Sequence, residues 1–490
     1  MRDFPLRTLR KIWPEQNFNK GYFVLLSMQI KTNEFTATQY AAMQHYFFSG
    51  AAATFDFRKQ QLQVLKKAIQ KYEPEIMQAL YNDLHKSAEE AFSTEIGFIY
   101  SEITHCIKNL GKWMEPQQVS TPMVLFPSSS KIIRDSLGVV LIIAPWNYPF
   151  QLLMAPLIGA IAGGNCAVLK PSELTPHTSA VVAKIIAEFF EPNYIKVVEG
   201  DGAVAVPQMM NDFRFDHVFF TGSIPVGKEI AKLAAPKLVP VTLELGGKSP
   251  CVVDEDADIS IAAKRITWGK FTNAGQTCVA PDYLLVHENR KDQLANEIKK
   301  SIQSFYGADP QQSPDYGRIV NERRFTALEK YLEQGKVIEG GKVDKADLYI
   351  APTLLQDVSV DETIMKEEIF GPILPIITFK NHDESLSIIR NNPNPLSLYY
   401  FGNNEKVQQH YINNISFGGG CINNTLVHLA NIELPFGGVG NSGVGSYHGK
   451  FSFDTFTRPK SILQTATWID PSAKYPPYKG KMKFLKWIFK

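Results

Sequence analysis

The stretch GVVLIIAPWNYPFQLLMAPLIGAIAGGNCAVLK, residues 138–170, decides the architecture. Val139, Val140, Leu141, Ile142 and Ile143 are continuously apolar. An exposed or half-exposed strand alternates; an unbroken run fits a strand covered on both faces, as in a parallel sheet. Residues 152–162 then read as a helix, and residues 166–170 as a second strand ending at Lys170. Strand, helix and strand in one short span make a βαβ unit, whose crossover is right-handed.

The alternation continues outward. Residues 178–190 read as a helix, 195–199 as a strand, 205–210 as a short helix, 217–221 as a strand, 226–238 as a helix and 241–243 as a strand. This is a doubly wound, dinucleotide-type sheet. Upstream, residues 34–118 are helical, with the clearest periodicity over residues 55–84 and 94–113, and residues 131–135 have strand character. Downstream, residues 244–440 form a second αβ region: helices at 258–270, 290–305, 325–333 and 383–390, strands at 283–286, 373–379 and 396–401, and tight loops at 418–420 and 437–445. After residue 452 the rhythm is lost.

A chain of 490 residues exceeds one ordinary domain. With 44% hydrophobic and 20% charged residues it suits a globular protein with a large core. A net charge of +2 gives no basic footprint for nucleic acid. The five cysteines are widely spaced and form no CxxC, so a reducing compartment, the cytoplasm, is expected and disulfides are not. No run approaches the roughly 20 apolar residues that span a bilayer. Residues 1–27 read as an irregular extension and a poor signal peptide.

The sharpest chemical feature is FTNAGQTCVA, residues 271–280. Cys278 follows a helix–loop break, where its thiol is either a nucleophile or a small buried hydrophobe. Some thiolate is expected at pH 8 without assistance. Glu244, in VTLELGGKSP, lies at a strand end, where a carboxylate can take a proton from a thiol or from water or can serve only as a salt-bridge partner. Asn147, in APWNYP, also follows a parallel-type strand. Its amide can donate to a developing oxyanion or close an Asx turn. Lys170 and Glu173, in KPSE, can bind ribose hydroxyls. Gly222, Ser223 and Gly227, in FTGSIPVG, fail the G-x-G-x-x-G test but form a glycine loop entering a helix, where pyrophosphate can meet free N–H groups. Glu368 and Phe370, in KEEIFGP, can hold a nicotinamide ribose and pack against its ring, or anchor a loop. No HExxH, paired CxxC or tight His/Asp cluster signals a metal, and no GxSxG or Walker loop is present.

The ordered set APWNYP, LKPSE, FTGS, LELGGKSP, NAGQTC, EEIFGP and PFGGVGNSG resembles the aldehyde dehydrogenase superfamily over about residues 35–475. WGKFTNAGQTC, with Trp268, and PFGGVGNSGVGSYHGKFSF resemble its class 3 branch of fatty and aromatic aldehyde enzymes. The resemblance implies an α/β fold with a Rossmann-type cofactor domain (residues 28–243), an α/β catalytic domain (244–450) and a small oligomerisation element from residues 121–135 and 451–490. It implies a homodimer, NAD as cofactor with NADP tolerated, and Trp146 among the cofactor-binding residues. It makes Cys278 the nucleophile, Asn147 the oxyanion donor, Glu244 the base that activates water, and Tyr148 and Trp268 the pocket for an apolar medium- to long-chain or aromatic aldehyde. Acyl-CoA-forming or phosphorylating chemistry is the alternative, with a non-enzymatic structural protein behind it. The end of the chain, YKGKMKFLKWIFK, carries Lys479, Lys481, Lys483, Lys486 and Lys490 among apolar residues. On a helix, Phe484, Leu485, Ile488 and Phe489 form an apolar stripe that either docks on the enzyme or makes weak peripheral contact with an anionic membrane.

Overall fold

The apolar run at the start of the βαβ unit forms the strand Val139–Ile143, buried at every residue, and a computed structural model of the chain describes residues 35–470 and 472–488. This strand is central in a six-stranded sheet ordered Gly443–Val444, Val241–Leu245, His217–Gly222, Val139–Ile143, Cys166–Lys170, Ile195–Val197. The last five are parallel and Gly443–Val444 pairs antiparallel with Val241–Leu245. The chain moves outward from Val139–Ile143 in one direction, then returns to lay His217–Gly222 on its other side. That reversal makes a crevice at the carboxyl ends of the two strands. The Gln151–Ala162 helix is buried at every position, which explains an apolar composition with no polar face. Gly159 lets the chain after Gly449–Thr455 pack on it, because a Cβ there would stand 2.8 Å from Phe456.

A second, seven-stranded sheet runs Lys336–Glu339, Thr353–Gln356, Ile373–Phe379, Tyr283–His287, Pro250–Val253, Ser397–Phe401, Gly419–Ile422. Only Lys336–Glu339 is antiparallel to its neighbour. Four of its strands correct the sequence reading, and Lys336–Glu339 and Thr353–Gln356, four residues each, lie where no strand was expected. Pro250–Val253 has only four residues and follows a glycine pair, so it gave no periodic signal. Gly419–Ile422, expected as a tight loop at 418–420, is an edge strand. Its glycines are there for close approach: a Cβ on Gly420 would lie 2.1 Å from the Leu398 carbonyl.

The third sheet is antiparallel: Gln117–Val119, Ser128–Ser136 and Thr457–Thr465. The loss of rhythm after residue 452 is therefore corrected in part, since Thr457–Thr465 pairs with Ser128–Ser136 along nine residues. Its polar, half-exposed pattern hid it. The expected 55–84 helix is Phe55–Leu84, closed by His85 in the left-handed conformation. Near the end, Met482–Ile488 is a short helix on which Met482 and Trp487 are exposed. No helix among the described residues is long and apolar enough to cross a membrane. Residues 1–27 and Phe489 lie outside the described residues.

Candidate active site

Three loops meet at the switch-point crevice. The first follows Val139–Ile143 and carries Trp146, Asn147 and Tyr148. The second follows the helix Ile259–Phe271 and ends at Cys278. The third carries Glu368 and Phe370. The Cys278 loop turns sharply through three successive residues of positive φ, Asn273 (52°), Ala274 (50°) and Gly275 (73°). A Cβ at 275 would lie 2.3 Å from the Gly371 carbonyl, so glycine is required there.

Hydrogen bonds knit the first two loops together. The Asn147 side chain donates from Nδ2 to the Gln276 carbonyl at 3.0 Å, two residues before Cys278. Tyr148 and Thr277 share a hydroxyl–hydroxyl bond of 2.6 Å. The Asn273 amide donates to the Asn147 and Gln276 carbonyls at 2.8 and 3.1 Å. Gln276 itself is anchored by Arg318 and Val320, at 2.9 and 3.0 Å. Tyr399 holds the far side of the loop through its bond to the Val279 carbonyl, 2.6 Å. Of these, only Asn147, Tyr148 and Cys278 were expected; Asn273, Gln276 and Tyr399 were missed. Their buried amide and hydroxyl groups sit in a motif whose reading centred on the thiol.

Cys278 is partly exposed, and its thiol is pushed up to about 12, by burial first and then by the nearby carboxyls of Glu368 and Glu244. Its own N–H and that of Val279 point at the sulfur and work in the opposite sense. This environment makes the thiolate expected at pH 8 a much smaller fraction than in a free thiol. Glu244, the next-to-last residue of the Val241–Leu245 strand, is buried with both carboxyl oxygens lacking a hydrogen-bond partner, and burial holds its proton affinity well above the usual carboxylate range. An unsatisfied buried carboxyl near a thiol is uncommon outside reactive sites.

Glu368 is pushed up to about 8, by burial and then by Asp282, against a bond from the Gly247 N–H and the charges of Arg324 and Lys248. Gly246 makes room for it, since a Cβ there would stand 2.1 Å from its carboxylate. The Glu368 loop is held by the buried Lys248–Asp282 pair at 2.5 Å, with Asp282 also accepting from the Ile369 N–H at 3.0 Å. Phe370 packs edge-to-face on Trp146, centroids 5.2 Å apart. Trp268, on the last turn of Ile259–Phe271, is 42% exposed. Tyr148, in contrast, is buried with its ring over Lys86, so it is a packed wall rather than an open surface.

The remaining expected residues lie along the other strand ends. Lys170 is buried and pairs with Glu173 at 3.3 Å, and Glu173 also accepts from the Gly202 N–H. Ser223 is the N-cap of Ile224–Ala234, and its side chain makes no capping bond. Gly227, against Leu245, leaves no room for a Cβ. A free helix N-terminus, a buried unpartnered Thr221 hydroxyl and the exposed Glu173 carboxylate fit the pyrophosphate and ribose of a dinucleotide.

The family model for the aldehyde dehydrogenase family matches residues 24–462. The chain is 52% identical over 447 residues to the 4,4'-diaponeurosporen-aldehyde dehydrogenase of Staphylococcus aureus (strain NCTC 8325 / PS 47), covering 91% of this chain and 97% of that protein. It is 43% identical over 438 residues to a dimeric NADP-preferring aldehyde dehydrogenase of Rattus norvegicus, 89% and 96% of the two chains. Its fold superposes on the substrate-bound state of Staphylococcus aureus AldH with a TM-score of 0.91 at 51% identity, over 92% of this chain and 99% of that one. The chain belongs to the aldehyde dehydrogenase family and is an NAD(P)-dependent enzyme that oxidises aldehydes to acids.

Proposed function

We propose that Cys278, Asn147 and Glu244 carry the chemistry and that the substrate is an apolar aldehyde of the class 3 branch. The observation that supports this most is the meeting of the Asn147 amide, the Cys278 thiol and the unpartnered Glu244 carboxyl at one crevice. In this reading the Cys278 sulfur gives its proton to water and bonds to the carbonyl carbon as the C=O π bond breaks and its electron pair moves to oxygen. The Asn147 amide and the Cys278 N–H stabilise the oxyanion, an interaction made fully only as charge develops. Bound NAD(P) supplies the hydride acceptor, held by Trp146, Lys170, Glu173, Gly222, Ser223, Gly227, Glu368 and Phe370. The acyl thioester is hydrolysed by water that Glu244 deprotonates. Burial disfavours the charged form of Glu244, and water reaching its carboxyl offsets that effect as it takes up its work as a base. Replacing Cys278 with Ala should abolish the burst of reduced cofactor in a folded protein; turnover by that variant would overturn the assignment.

The class 3 assignment rests on WGKFTNAGQTC and the glycine-rich close, and the similarity to an enzyme acting on a diaponeurosporen aldehyde favours a long apolar chain. Each CH₂ buried in an apolar pocket is worth about 0.8 kcal/mol, so kcat/KM should rise about fourfold per carbon until the pocket is filled. A flat profile from propanal to decanal would refute the apolar pocket.

The domain division at residues 28–243, 244–450 and 451–490 is retained as a proposal, with the antiparallel sheet of Gln117–Val119, Ser128–Ser136 and Thr457–Thr465 as a homodimer element. Five free thiols suit the cytoplasm. Exposed Met482 and Trp487 among lysines suit weak contact with an anionic membrane. Equal sedimentation with anionic vesicles by the full chain and by one ending at Pro477 would remove that role.

A further inference from the structure

A buried ion pair lies directly beneath the proposed oxyanion donor. Lys86 follows the left-handed end of Phe55–Leu84, and Glu95 lies in the π-helical turn Phe92–Ile96. Both side chains are wholly removed from water, and they pair with each other. Withdrawing two charges from water is costly, and the attraction between them rarely leaves a net gain in stability. A π turn inside a helical run also costs backbone geometry and recurs at functional sites. The arrangement therefore calls for an explanation other than stability.

Its bonds supply one. Lys86 donates to the Asn147 carbonyl at 3.0 Å, and its ammonium sits 3.9 Å from the centre of the Tyr148 ring. The second Glu95 oxygen accepts from the N–H groups of Phe150 and Gln151, at 2.9 and 3.1 Å, where the Gln151–Ala162 helix begins. The pair thus grips both ends of the segment that carries Asn147. On the same run of chain, Glu90 accepts from the Asn273 N–H at 2.8 Å, at the first left-handed residue of the Cys278 loop. Asn273 in turn reaches the same Asn147 carbonyl that Lys86 holds. Residues 86–95 touch both sides of the site, through Lys86 and Glu95 on the Asn147 side and Glu90 on the Cys278 side.

We propose that the Lys86–Glu95 pair is a positioning device that fixes the Asn147 amide relative to Cys278. The inference rests on the reading of Asn147 as oxyanion donor. Lys86 acts through the Asn147 carbonyl, and Glu95 through Lys86 and the Phe150 and Gln151 N–H groups. An error of about an ångström in such a donor costs roughly 10²-fold in rate. The pair should therefore matter to the acylation rate and not to cofactor binding.

The test is a double-mutant cycle on the full enzyme, read as the rate constant of the NADH burst with hexanal and NAD. One arm is Lys86→Met/Glu95→Gln, which leaves no buried unpaired charge; the other is Asn147→Ala. The double variant should lose roughly 10- to 10²-fold in burst rate constant, with an unchanged KM for NAD and an unchanged burst amplitude per folded protein. In the Asn147→Ala background the same change should cost less than about threefold, because the group it positions is gone. Equal losses in both backgrounds, no loss in either, or a loss confined to KM for NAD would overturn the inference while leaving the oxyanion reading intact. An Asn147→Ala enzyme within about threefold of the wild type would overturn the oxyanion reading, and this inference with it.

Discussion

The environment of Cys278 makes a quantitative prediction for the cofactor-free enzyme. A thiol of ordinary acidity is about a tenth ionised at pH 8, whereas one pushed up to about 12 is ionised at roughly one part in 10⁴. Only the thiolate is alkylated, so iodoacetamide should modify Cys278 about 10³-fold more slowly at pH 8 than it modifies an unhindered thiol. The rate should climb about tenfold per pH unit from 7 to 10 without a plateau. Glu368 and Glu244 add to the burial effect only when ionised, and Glu368 loses its proton near pH 8. Glu368→Gln should therefore leave the rate nearly unchanged at pH 7 and raise it at pH 10. The assay is mass spectrometry of the peptide bearing Cys278 across that pH range. A plateau at or below pH 9 would refute the argument, because it would mean that the thiol titrates in its ordinary range despite burial.

Glu368 also links to stability. Its proton affinity is raised from 4.5 to about 8, so between those values the folded state holds more protons than the unfolded one, and this group's contribution to stability is lost as pH rises through that window. Glu368→Gln should flatten the decline of Tm between pH 5 and 8; an unchanged slope would contradict it. Glu173→Gln should raise kcat/KM for NADP relative to NAD by about tenfold, since it removes a carboxylate's repulsion of a 2′-phosphate at a partly exposed site. An unchanged ratio would place the adenosine ribose elsewhere. Gly275→Ala puts a Cβ 2.3 Å from the Gly371 carbonyl at φ +73°, and should cost about 1–3 kcal/mol or displace the Cys278 loop. Chemical denaturation and burst amplitude together would show either effect, and wild-type values in both would refute the packing argument.

The doubly wound sheet was legible because a doubly covered parallel strand leaves an unbroken apolar run, as in Val139–Ile143, and because the strands and helices alternate at βαβ lengths. Pro250–Val253 and Gly419–Ile422 escaped because one is very short and the other is built on glycines needed for close approach, which read as a turn. Thr457–Thr465 left no periodic signal, and only the family resemblance implied a strand region there, because its residues are mostly exposed and polar and it is a strand only through pairing with one over 300 positions earlier. In the site, Cys278, Glu244 and Asn147 could be singled out because each stands at a strand or helix end in a distinctive segment. Lys86 and Glu95 gave no such sign. A lysine and a glutamate nine positions apart in a charged helical region look like a solvated face, and only the tertiary fold buries them together. Their role depends on partners more than fifty positions away, which no local pattern encodes.

The central claim is that oxidation proceeds through an acyl thioester on Cys278 that Glu244 helps water to break. Its most direct test is the intact and peptide mass of Glu244→Gln enzyme quenched during turnover of hexanal with NAD at pH 9. The account predicts a hexanoyl adduct confined to the Cys278 peptide, accumulating because hydrolysis is slowed more than acylation. Undiminished steady-state turnover with no adduct, or an adduct on any of Cys106, Cys166, Cys251 or Cys421 instead, would contradict it.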